Sequence, residues 1–317
     1  MDVALNTTRL RILREVAERG TITAAAEALY LTPPAISHQL VVLEREVGVA
    51  LLERTARSIR LTDAGLRLVT HAETILAECE AALADVASFS AKVSGTVHLS
   101  AFQTAARTIA VPALDALRDR FPALEVILSD IEPALSVAAL KAGQLDVALS
   151  HEWDFVPVPP DAGIDRHDLY AETAMAILPP SHALATGEVR LADLSGERWC
   201  VAKETAATRQ ALEQAAHSVG FSPRIVLESN DFGVIATAVE RALGVSIVPR
   251  MTDLRRFDVA VMPLIAPVMS RRIFAAVRKG SGGAPAIRAV LDALSEAASQ
   301  VPVGGGRTTG RAVQTGR

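Results

Sequence analysis

The side chains best suited to chemistry lie in the stretch LTPPAISHQL, residues 31–40. Two prolines come just before Ser37, His38 and Gln39, which are consecutive polar residues on a predicted helix. Such side chains form hydrogen bonds with base edges and phosphates. Prolines cost little at a helix start, because the first four N–H groups have no partner within the helix. The stretch therefore predicts a helix that begins at Pro33 and presents a polar face to a partner.

Three predicted helices position this face. The first covers residues 3–19 and ends at Gly20, and Thr21 caps a second, alanine-rich helix. The third runs from Pro33 to Val47 with apolar residues at helical spacing, so that positions 34, 35, 37, 38 and 45 face outward. A helix, a short turn and a polar-faced helix form the helix-turn-helix pattern, in which the second helix enters the major groove of DNA. The spacing alone is a weak signal, since many three-helix folds share it.

A hairpin and a long helix are predicted next. Residues 51–62 alternate and carry three arginines, which favours a short hairpin. A helix over 62–90 follows, with apolar residues at steps of four and three through three heptads. That spacing is typical of a coiled-coil seam, and we expect this helix to pair two copies of the chain; the alternative is a long helix packed on its own domain. The seam residues are Leu68, Ala72, Ile75, Cys79, Ala82, Val86 and Phe89.

The pattern changes after a predicted hinge at Lys92 to Gly95. From there to about residue 300, short apolar strands alternate with helices. This alternation predicts parallel α/β sheets with helices on both faces. Residues 302–317 are rich in Gly, Thr and Arg, and we expect them to be a disordered tail.

Composition and motifs point away from catalysis and metal binding. No dinucleotide, phosphate-loop, zinc-protease or nucleophile-elbow motif is present, and the seven histidines are scattered singly. The net charge of −4 does not by itself indicate a nucleic-acid-binding protein. A prediction of DNA binding therefore depends on the sequence motifs. Cys79 and Cys200 are far apart, and no signal-peptide or membrane-spanning pattern occurs. We therefore expect a reduced cytoplasmic protein with no catalytic residues, metal, cofactor or membrane contact.

The motifs become specific over residues 10–65. The segments AAEAL, PAIS, LEREVG, LLER and LT-x-AG resemble the DNA-binding domain of LysR-type transcriptional regulators, and the likeness is strong over the first 90 residues. It implies a winged helix-turn-helix domain at 1–61 and a linker and dimerisation helix at 62–91. By the same resemblance, Thr21 and Thr23 lie near phosphates. The residues implied to face the major groove are Thr32, Pro33, Pro34, Ala35, Ser37, His38 and Gln39, and those of the wing are Arg54, Arg57 and Arg60.

Three features of this segment depart from the family pattern. His38 stands where Arg is frequent, which bears on base preference and on pH dependence. Val41 and Val42 replace polar residues, so this helix surface is expected to be drier than usual. Leu52 takes a position where Phe is frequent in the wing.

The later part of the chain resembles the effector domain of the same family. That resemblance implies a two-lobed fold over 92–301, like a type 2 periplasmic binding protein, with lobe one at 95–168 plus 265–300 and lobe two at 169–264. An internal repeat fits two lobes, because each lobe has a predicted strand followed by T-A-A and a helix. In lobe one TVHLSA leads into FQTAAR, and in lobe two RWCVA leads into KETAATR. Helix N-termini at strand ends form ready anion sites. Thr104 and Thr205 lie at these helix starts. Each can contact a ligand or be only an N-cap, these two roles are equally expected, and one threonine can have both.

We therefore expect a small organic effector, with weak indications of an anion, to bind between the lobes. One wall would comprise Ser100, Phe102, Gln103 and Thr104, with Ser129, Ser150 and His151 nearby. The other wall would comprise Lys203, Thr205, Asn230, Asp231 and Phe232.

The function predicted from these patterns is a ligand-responsive transcriptional regulator. Its partners would be double-stranded DNA carrying an inverted repeat, a second copy of the chain in a dimer, further copies in a tetramer, and RNA polymerase. One alternative is a small-molecule binding protein whose helix-turn-helix binds protein. Another is an α/β enzyme with a regulatory head, for which the sequence offers only the isolated pair Ser150–His151.

Overall fold

The computed structural model describes residues 5–54, 59–89 and 92–301, with the side chain of Arg54 left out. The predicted tail at 302–317 therefore lies outside the described residues. The chain forms two compact units. Unit 1 contains the residues up to His151, Pro159–Leu169 and Ile273–Ala297, and unit 2 contains Glu152–Val158, Tyr170–Arg272 and the residues from Ala298.

The head of unit 1 is built from the predicted helices. Helix α1 spans Thr7–Arg19, α2 spans Ile22–Ala28 and α3 spans Pro33–Val47. Helix α1 begins later than the predicted residue 3, because Asn6 is its N-cap and accepts hydrogen bonds from the N–H groups of Thr8 and Arg9. Gly20 and Gly48 end α1 and α3 in the left-handed conformation that glycine adopts without strain. The predicted helix order is confirmed.

The predicted hairpin is also confirmed and is attached to α3. Strand β1, Leu52–Arg54, pairs antiparallel with β2, Ile59–Leu61, with Leu52 opposite Leu61. The Glu44 carboxylate accepts hydrogen bonds from the N–H groups of Leu51 and Leu52 at 2.8 and 3.1 Å. This fixes the hairpin relative to the helix that carries His38.

Helix α4, Asp63–Ser88, starts at the Thr62 cap as predicted, but its two halves differ. Leu68, Ala72 and Ile75 pack into the core of the head, and Ala72 is fully buried there. The seam prediction is wrong for Ala72, because its side chain is covered by its own domain. The later half carries exposed apolar residues: Leu83 is 69% exposed, Val86 is 71% and Phe89, just after the helix, is 86%.

The α/β part of unit 1 is a sheet with strand order β4-β3-β5-β12. Its strands are β3 Gly95–Ala101, β4 Leu124–Asp130, β5 Val147–Trp153 and β12 Ser270–Arg278, and β3 is parallel to both β4 and β5. The helical region after β3 consists of three segments: α5 Gln103–Ala105, a π-helical turn Ala106–Ala110 and α6 Val111–Arg120. Helices α7 Pro133–Ala142 and α10 Pro285–Ser299 complete this part.

Unit 2 has strand order β10-β6-β11-β7 and a separate parallel pair, β8-β9. Its elements are β6 Ile164–Leu178 (which starts in unit 1), β7 Val189–Arg190, β8 Arg198–Val201, α8 Ala207–Ser218, β9 Arg224–Glu228, α9 Phe232–Glu240, β10 Ser246–Pro249 and β11 Ala260–Ala266. The expectation of all-parallel sheets is wrong here, because β10 and β11 both pair antiparallel with β6.

The chain passes from unit 1 to unit 2 close to the predicted position, and it returns to unit 1 later than predicted. After the short segment Glu152–Val158, its long stretch in unit 2 begins at Tyr170, near the predicted Asp168, and the chain returns to unit 1 at Ile273 rather than near Leu264. The return is later because β11 pairs with β6 inside unit 2, and β12 begins there before it continues into unit 1.

Candidate DNA-binding surface and effector-binding residues

Helix α3 has the two faces that a DNA-reading helix needs. Ile36, Leu40 and Leu43 are buried in the head core. Pro34 and His38 lie on the opposite side and are exposed, and Ser37 beside them is half-buried. The outward orientation expected from the spacing is therefore present, and contact with base edges stays a prediction.

The N-terminal ends of α2 and α3 carry the threonines singled out from the sequence. Thr21 Oγ1 accepts from the N–H of Ala24 at 3.1 Å, and Thr32 Oγ1 accepts from the N–H of Ala35 at 3.4 Å. Both threonines and Thr23 are exposed, so the capping hydroxyls can still donate outward. Each helix N-terminus also carries a partial positive charge, which favours a phosphate.

Gln39 has a role that the sequence did not reveal. Its amide oxygen accepts a hydrogen bond from Arg9 Nη1 at 3.4 Å, and Arg9 Nε donates to Glu46 at 3.0 Å. The hydrogen bond and charge of Arg9 lower the pKa of Glu46 below its ordinary value. Gln39 is therefore held by α1, unlike His38. No local signal could have identified Arg9, because it is 30 residues from Gln39 along the chain.

The arginines of the wing are only partly described. Arg60 is exposed on β2, and the backbone of Arg54 pairs with Ile59 on β1. Arg57 lies outside the described residues. The contact of these wing arginines with DNA stays a prediction.

The effector residues of unit 1 gather at the carboxyl ends of its parallel strands. Ser100 lies opposite Ser129 in the β3–β4 register, and the Phe102 ring meets the His151 ring edge-on at 4.6 Å. Ser100 is fully buried, and its hydroxyl oxygen has no hydrogen-bond partner among the described residues. A buried hydroxyl without a partner is costly unless something binds it.

Thr104 is not the cap of its helix. Phe102 holds the N-cap position of α5 and supplies no side-chain hydrogen bond. The N-cap residue of this helical segment therefore supplies no side-chain acceptor. The π-helical turn that follows was not predicted, and such turns are frequent at functional sites. Ser150 is buried on β5, whereas Gln103 is exposed.

The effector residues of unit 2 divide into two groups. Lys203 and Thr205 are exposed, and Thr205 is not a cap, because Ala206 holds the N-cap position of α8 without a side-chain hydrogen bond. Asp231, by contrast, caps α9 by accepting from the N–H of Gly233 at 2.7 Å, and Phe232 packs on the core of unit 2. The carboxylate and the ring thus have structural roles that the residue pattern did not indicate.

Asn230 and the buried Arg209 shape this end of β8. Asn230 Oδ1 accepts from the N–H of Lys203 at 3.0 Å. Arg209 donates to Glu213 at 2.7 Å and to Glu228 at 2.9 Å, and its pKa is raised because these partners outweigh the effect of burial. Arg209 is committed to these carboxylates, so Lys203 is the exposed cation among the predicted residues of unit 2.

The residues that the structure describes lack two features, a metal-binding cluster and a membrane-spanning helix. They contain no group of three or more His, Cys, Asp or Glu side chains that could hold a metal ion. None of the helices in the described part of the chain is long and apolar enough to span a membrane.

Comparison with known proteins gives two family matches. Residues 7–66 match the bacterial regulatory helix-turn-helix protein, lysR family, and residues 90–299 match the LysR substrate binding domain. The nitrogen assimilation regulatory protein nac of Klebsiella aerogenes is 30% identical over 246 residues, which cover 77% of this chain and 78% of that protein.

Two solved structures share the fold. A full-length OxyR variant from Pseudomonas aeruginosa is 21% identical with a TM-score of 0.62, over 92% of this chain and 95% of that one. Full-length CbnR in complex with its target DNA is 24% identical with a TM-score of 0.53, over 93% of this chain and all of that one.

The fold and the surface of α3 define a winged helix-turn-helix protein with an α/β effector domain. The chain belongs to the LysR family of transcriptional regulators. It is a DNA-binding transcriptional regulator with an effector-binding domain.

Proposed function

We propose that this regulator binds an inverted repeat in DNA as a homodimer, with α3 of each copy in a major groove and the wing on the backbone. The observation that carries the proposal is the α3 surface: His38 and Pro34 face outward while Ile36 and Leu40 anchor the helix in the core. Glu44 fixes the hairpin to the same helix, so groove and backbone contacts would be made by one rigid body. On this proposal the protein acts in the cytoplasm, contacts RNA polymerase at promoters and catalyses no reaction.

A salt series tests the DNA proposal directly. Affinity for DNA from upstream of the protein's own gene should fall linearly on a log–log plot against salt, because phosphate binding releases counterions. Arg60→Ala should lower the slope by about one, because it removes the charge that neutralises one phosphate. Arg224→Ala, at an exposed arginine of unit 2, is the matched control and should leave the slope unchanged. A salt-independent affinity would show that the head binds something other than DNA.

We also propose that the effector is a small organic anion bound at the carboxyl ends of β3 and β8. Three features support this. The buried Ser100 hydroxyl has no partner among the described residues, and the exposed Lys203 is a cation. The N-cap residues Phe102 and Ala206 supply no side-chain acceptor to the helices that they begin. Helix N-termini and a lysine both favour negative charge. An effector can control the regulator only if it binds one conformation more tightly than the other.

Isothermal titration against a panel of metabolite carboxylates and phosphates tests this site. A true effector should bind more weakly to Thr104→Val and Thr205→Val, which remove hydroxyls beside the two helix starts. Thr237→Val is the matched control, because the Thr237 hydroxyl donates to the carbonyl of Gly233 within α9. A ligand whose affinity is unchanged by all three substitutions binds elsewhere.

Self-association is proposed through two exposed apolar surfaces. The later half of α4 would pair two copies through Leu83 and Val86. Effector-domain contacts would build a tetramer, and exposed Val226 and Val234 of unit 2 are the candidates for that contact. Sedimentation of the Val226→Ser, Val234→Ser variant should then give dimers where the wild type gives tetramers.

A further inference from the structure

Polar contacts fasten α1 of the head to the α/β part of unit 1. Lys141, at the end of α7, is only 6% exposed. Its Nζ lies 2.9 Å from Asp161 of the same α/β part and 3.3 Å from Glu18 of α1. Arg14 of α1 donates to the carbonyl oxygen of Lys141 and pairs with the buried Glu15 at 3.3 Å. One lysine thus holds carboxylates from both sides of the junction.

A second group of contacts reaches α2 and α4. Arg278 Nε donates to Glu80 of α4 at 3.1 Å, and Arg278 Nη2 donates to Asp146 at 3.2 Å. Gln144 donates to the carbonyl of Ala28, the last residue of α2, at 2.6 Å. Three helices of the N-terminal part are therefore bound to the turn after α7 and to the end of β12.

The backbone is shaped for the same contact. Gly280 has φ +86, and a Cβ atom at this position would lie 2.4 Å from the carbonyl oxygen of Ala77 on α4. Any other residue would be strained in conformation and would collide with α4. Glycine at 280 is explained by the close approach of this turn to α4.

The charges at the junction favour an all-or-none contact. Burial alone would lower the pKa of Lys141, but the hydrogen bond to Asp161 and the charge of Glu18 raise it above its ordinary value. A buried ion cluster is tolerated only while its pairing is complete, and loss of one partner leaves an uncompensated charge. Partial separation of the surfaces is therefore unfavourable compared with full docking or full release.

We propose that the α/β part of unit 1 is the docking surface for the DNA-binding head of its own chain, and that this contact is a releasable lock. With the lock closed, the head, α4 and this part of the effector domain move as one body, so a displacement produced in the effector domain carries α3 with it. With the lock open, the head turns independently. The regulatory part of this inference rests on the proposed control of DNA binding by an effector, whereas docking within one chain does not.

An engineered disulfide tests docking in solution. A Cβ atom at Gly283 would lie 3.6 Å from the Cβ of Ala84 on α4, within the range that disulfides require. The variant Ala84→Cys, Gly283→Cys would be made in a Cys79→Ser, Cys200→Ala background and oxidised mildly. We expect both thiols to be consumed and the chain to run as a monomer on a denaturing, non-reducing gel. Free thiols that persist, or a covalent dimer band, would overturn docking within one chain.

A charge-neutral variant tests release without cross-linking. Glu18→Gln, Asp161→Asn removes both carboxylates from Lys141 and should speed amide hydrogen exchange in α1 and in residues 141–146 by roughly tenfold. The matched control is Glu27→Gln, Asp292→Asn, which makes the same charge change at exposed positions outside the cluster. Equal exchange in the two variants would overturn the lock.

The consequence for DNA is measured with the disulfide variant. The oxidised disulfide variant is compared with and without Glu18→Gln and Asp161→Asn on DNA from upstream of the protein's own gene. Because the disulfide keeps the head docked, we expect the two proteins to give the same footprint. After reduction the disulfide no longer holds the head. The protein that carries Glu18→Gln and Asp161→Asn should then give a footprint of a different length from the protein without these two substitutions. Identical footprints would overturn the regulatory role of the lock, whereas a wild-type protein that binds no DNA would contradict the proposed function instead.

Discussion

Arg9 of α1 holds Gln39 of α3 by its amide oxygen, with Nη1 3.4 Å from Oε1 of Gln39. Arginine only donates hydrogen bonds, so the amide oxygen must face Arg9 and the amide NH₂ group must face away. A glutamine reads adenine through its oxygen and nitrogen together. The bond to Arg9 takes one of the two lone pairs of that oxygen and holds the side chain against α1. We therefore infer that Gln39 positions α3 and is not the main base reader.

Gln39→Ala should accordingly reduce DNA affinity modestly and by the same factor on every sequence. We expect about a twofold to fivefold loss, in line with a net hydrogen-bond contribution of about 0.5–1 kcal/mol. Fluorescence anisotropy with operator and random duplexes is the measurement. A loss confined to the operator would show that Gln39 reads bases after all.

His38→Ala should behave differently. His38 is exposed on the outward face of α3, where removal of a base contact costs about 1–3 kcal/mol of discrimination, or roughly fivefold to 150-fold. The loss should appear on the operator and be small on random DNA, measured in the same anisotropy assay. Equal losses on both duplexes would assign His38 to the phosphate backbone.

The head could be predicted closely because its signals are local. Thr21, Thr32, Pro33, Gly20 and Gly48 each act on the backbone within a few residues of themselves, so helix ends follow from residue type. The buried positions of α3 followed from their spacing for the same reason.

The parts that could not be predicted depend on contacts between distant segments. Spacing shows that α4 has an apolar stripe, but not that Ala72 is covered by the head while Val86 is left exposed. The antiparallel strands β10 and β11 and the Lys141 cluster depend on which surfaces meet after folding. The π-helical turn at 106–110 has no sequence signal that we recognise.

Cys79 offers a test of the α4 dimer with the native sequence. It lies near the middle of α4, one helical turn before Leu83 on the same side, and is half-buried. When the paired helices run parallel, equivalent residues lie side by side, so Cys79 meets its counterpart across the seam. A short bis-maleimide should therefore cross-link two wild-type chains, and Cys79→Ser should abolish the product.

The buried Cys200 is the internal control for that experiment. Cys200→Ala should leave the Cys79 cross-link unchanged. If the cross-link is absent from a protein that sediments as a dimer, the copies do not pair through parallel α4 helices.

Cys200 should also be a poor redox sensor. Burial in the core of unit 2 raises the pKa of its thiol, an effect that the nearby Arg198 only partly offsets. A raised pKa leaves little thiolate at pH 8, and the thiolate is the reactive form. Iodoacetamide at pH 8 should label Cys79 at least tenfold faster than Cys200, as mass spectrometry of the peptides would measure. Faster labelling of Cys200 would reopen thiol-based sensing as a mode of regulation.

The buried pair Glu172–Arg271 should dominate the stability of unit 2. Arg271 Nε donates to Glu172 at 2.8 Å, the N–H of Met251 donates to the same carboxylate at 2.7 Å, and the guanidinium lies 5.5 Å from the centre of the Trp153 ring. Glu172→Gln would leave the Arg271 charge buried without its partner charge, which costs about 3–5 kcal/mol. Urea unfolding should record that loss in the free energy of unfolding.

The adjacent arginine supplies the matched control for this prediction. Arg272 pairs with Glu152 at 2.8 Å, but its side chain is 59% exposed. Water screens such a pair, so Glu152→Gln should cost less than about 1 kcal/mol. Because Arg271 and Arg272 are neighbours in the same strand, a large difference between the two variants would isolate burial as the cause. Equal losses would mean that the Glu172 carboxylate stabilises unit 2 through Met251 and the fold around it, not through the charge of Arg271.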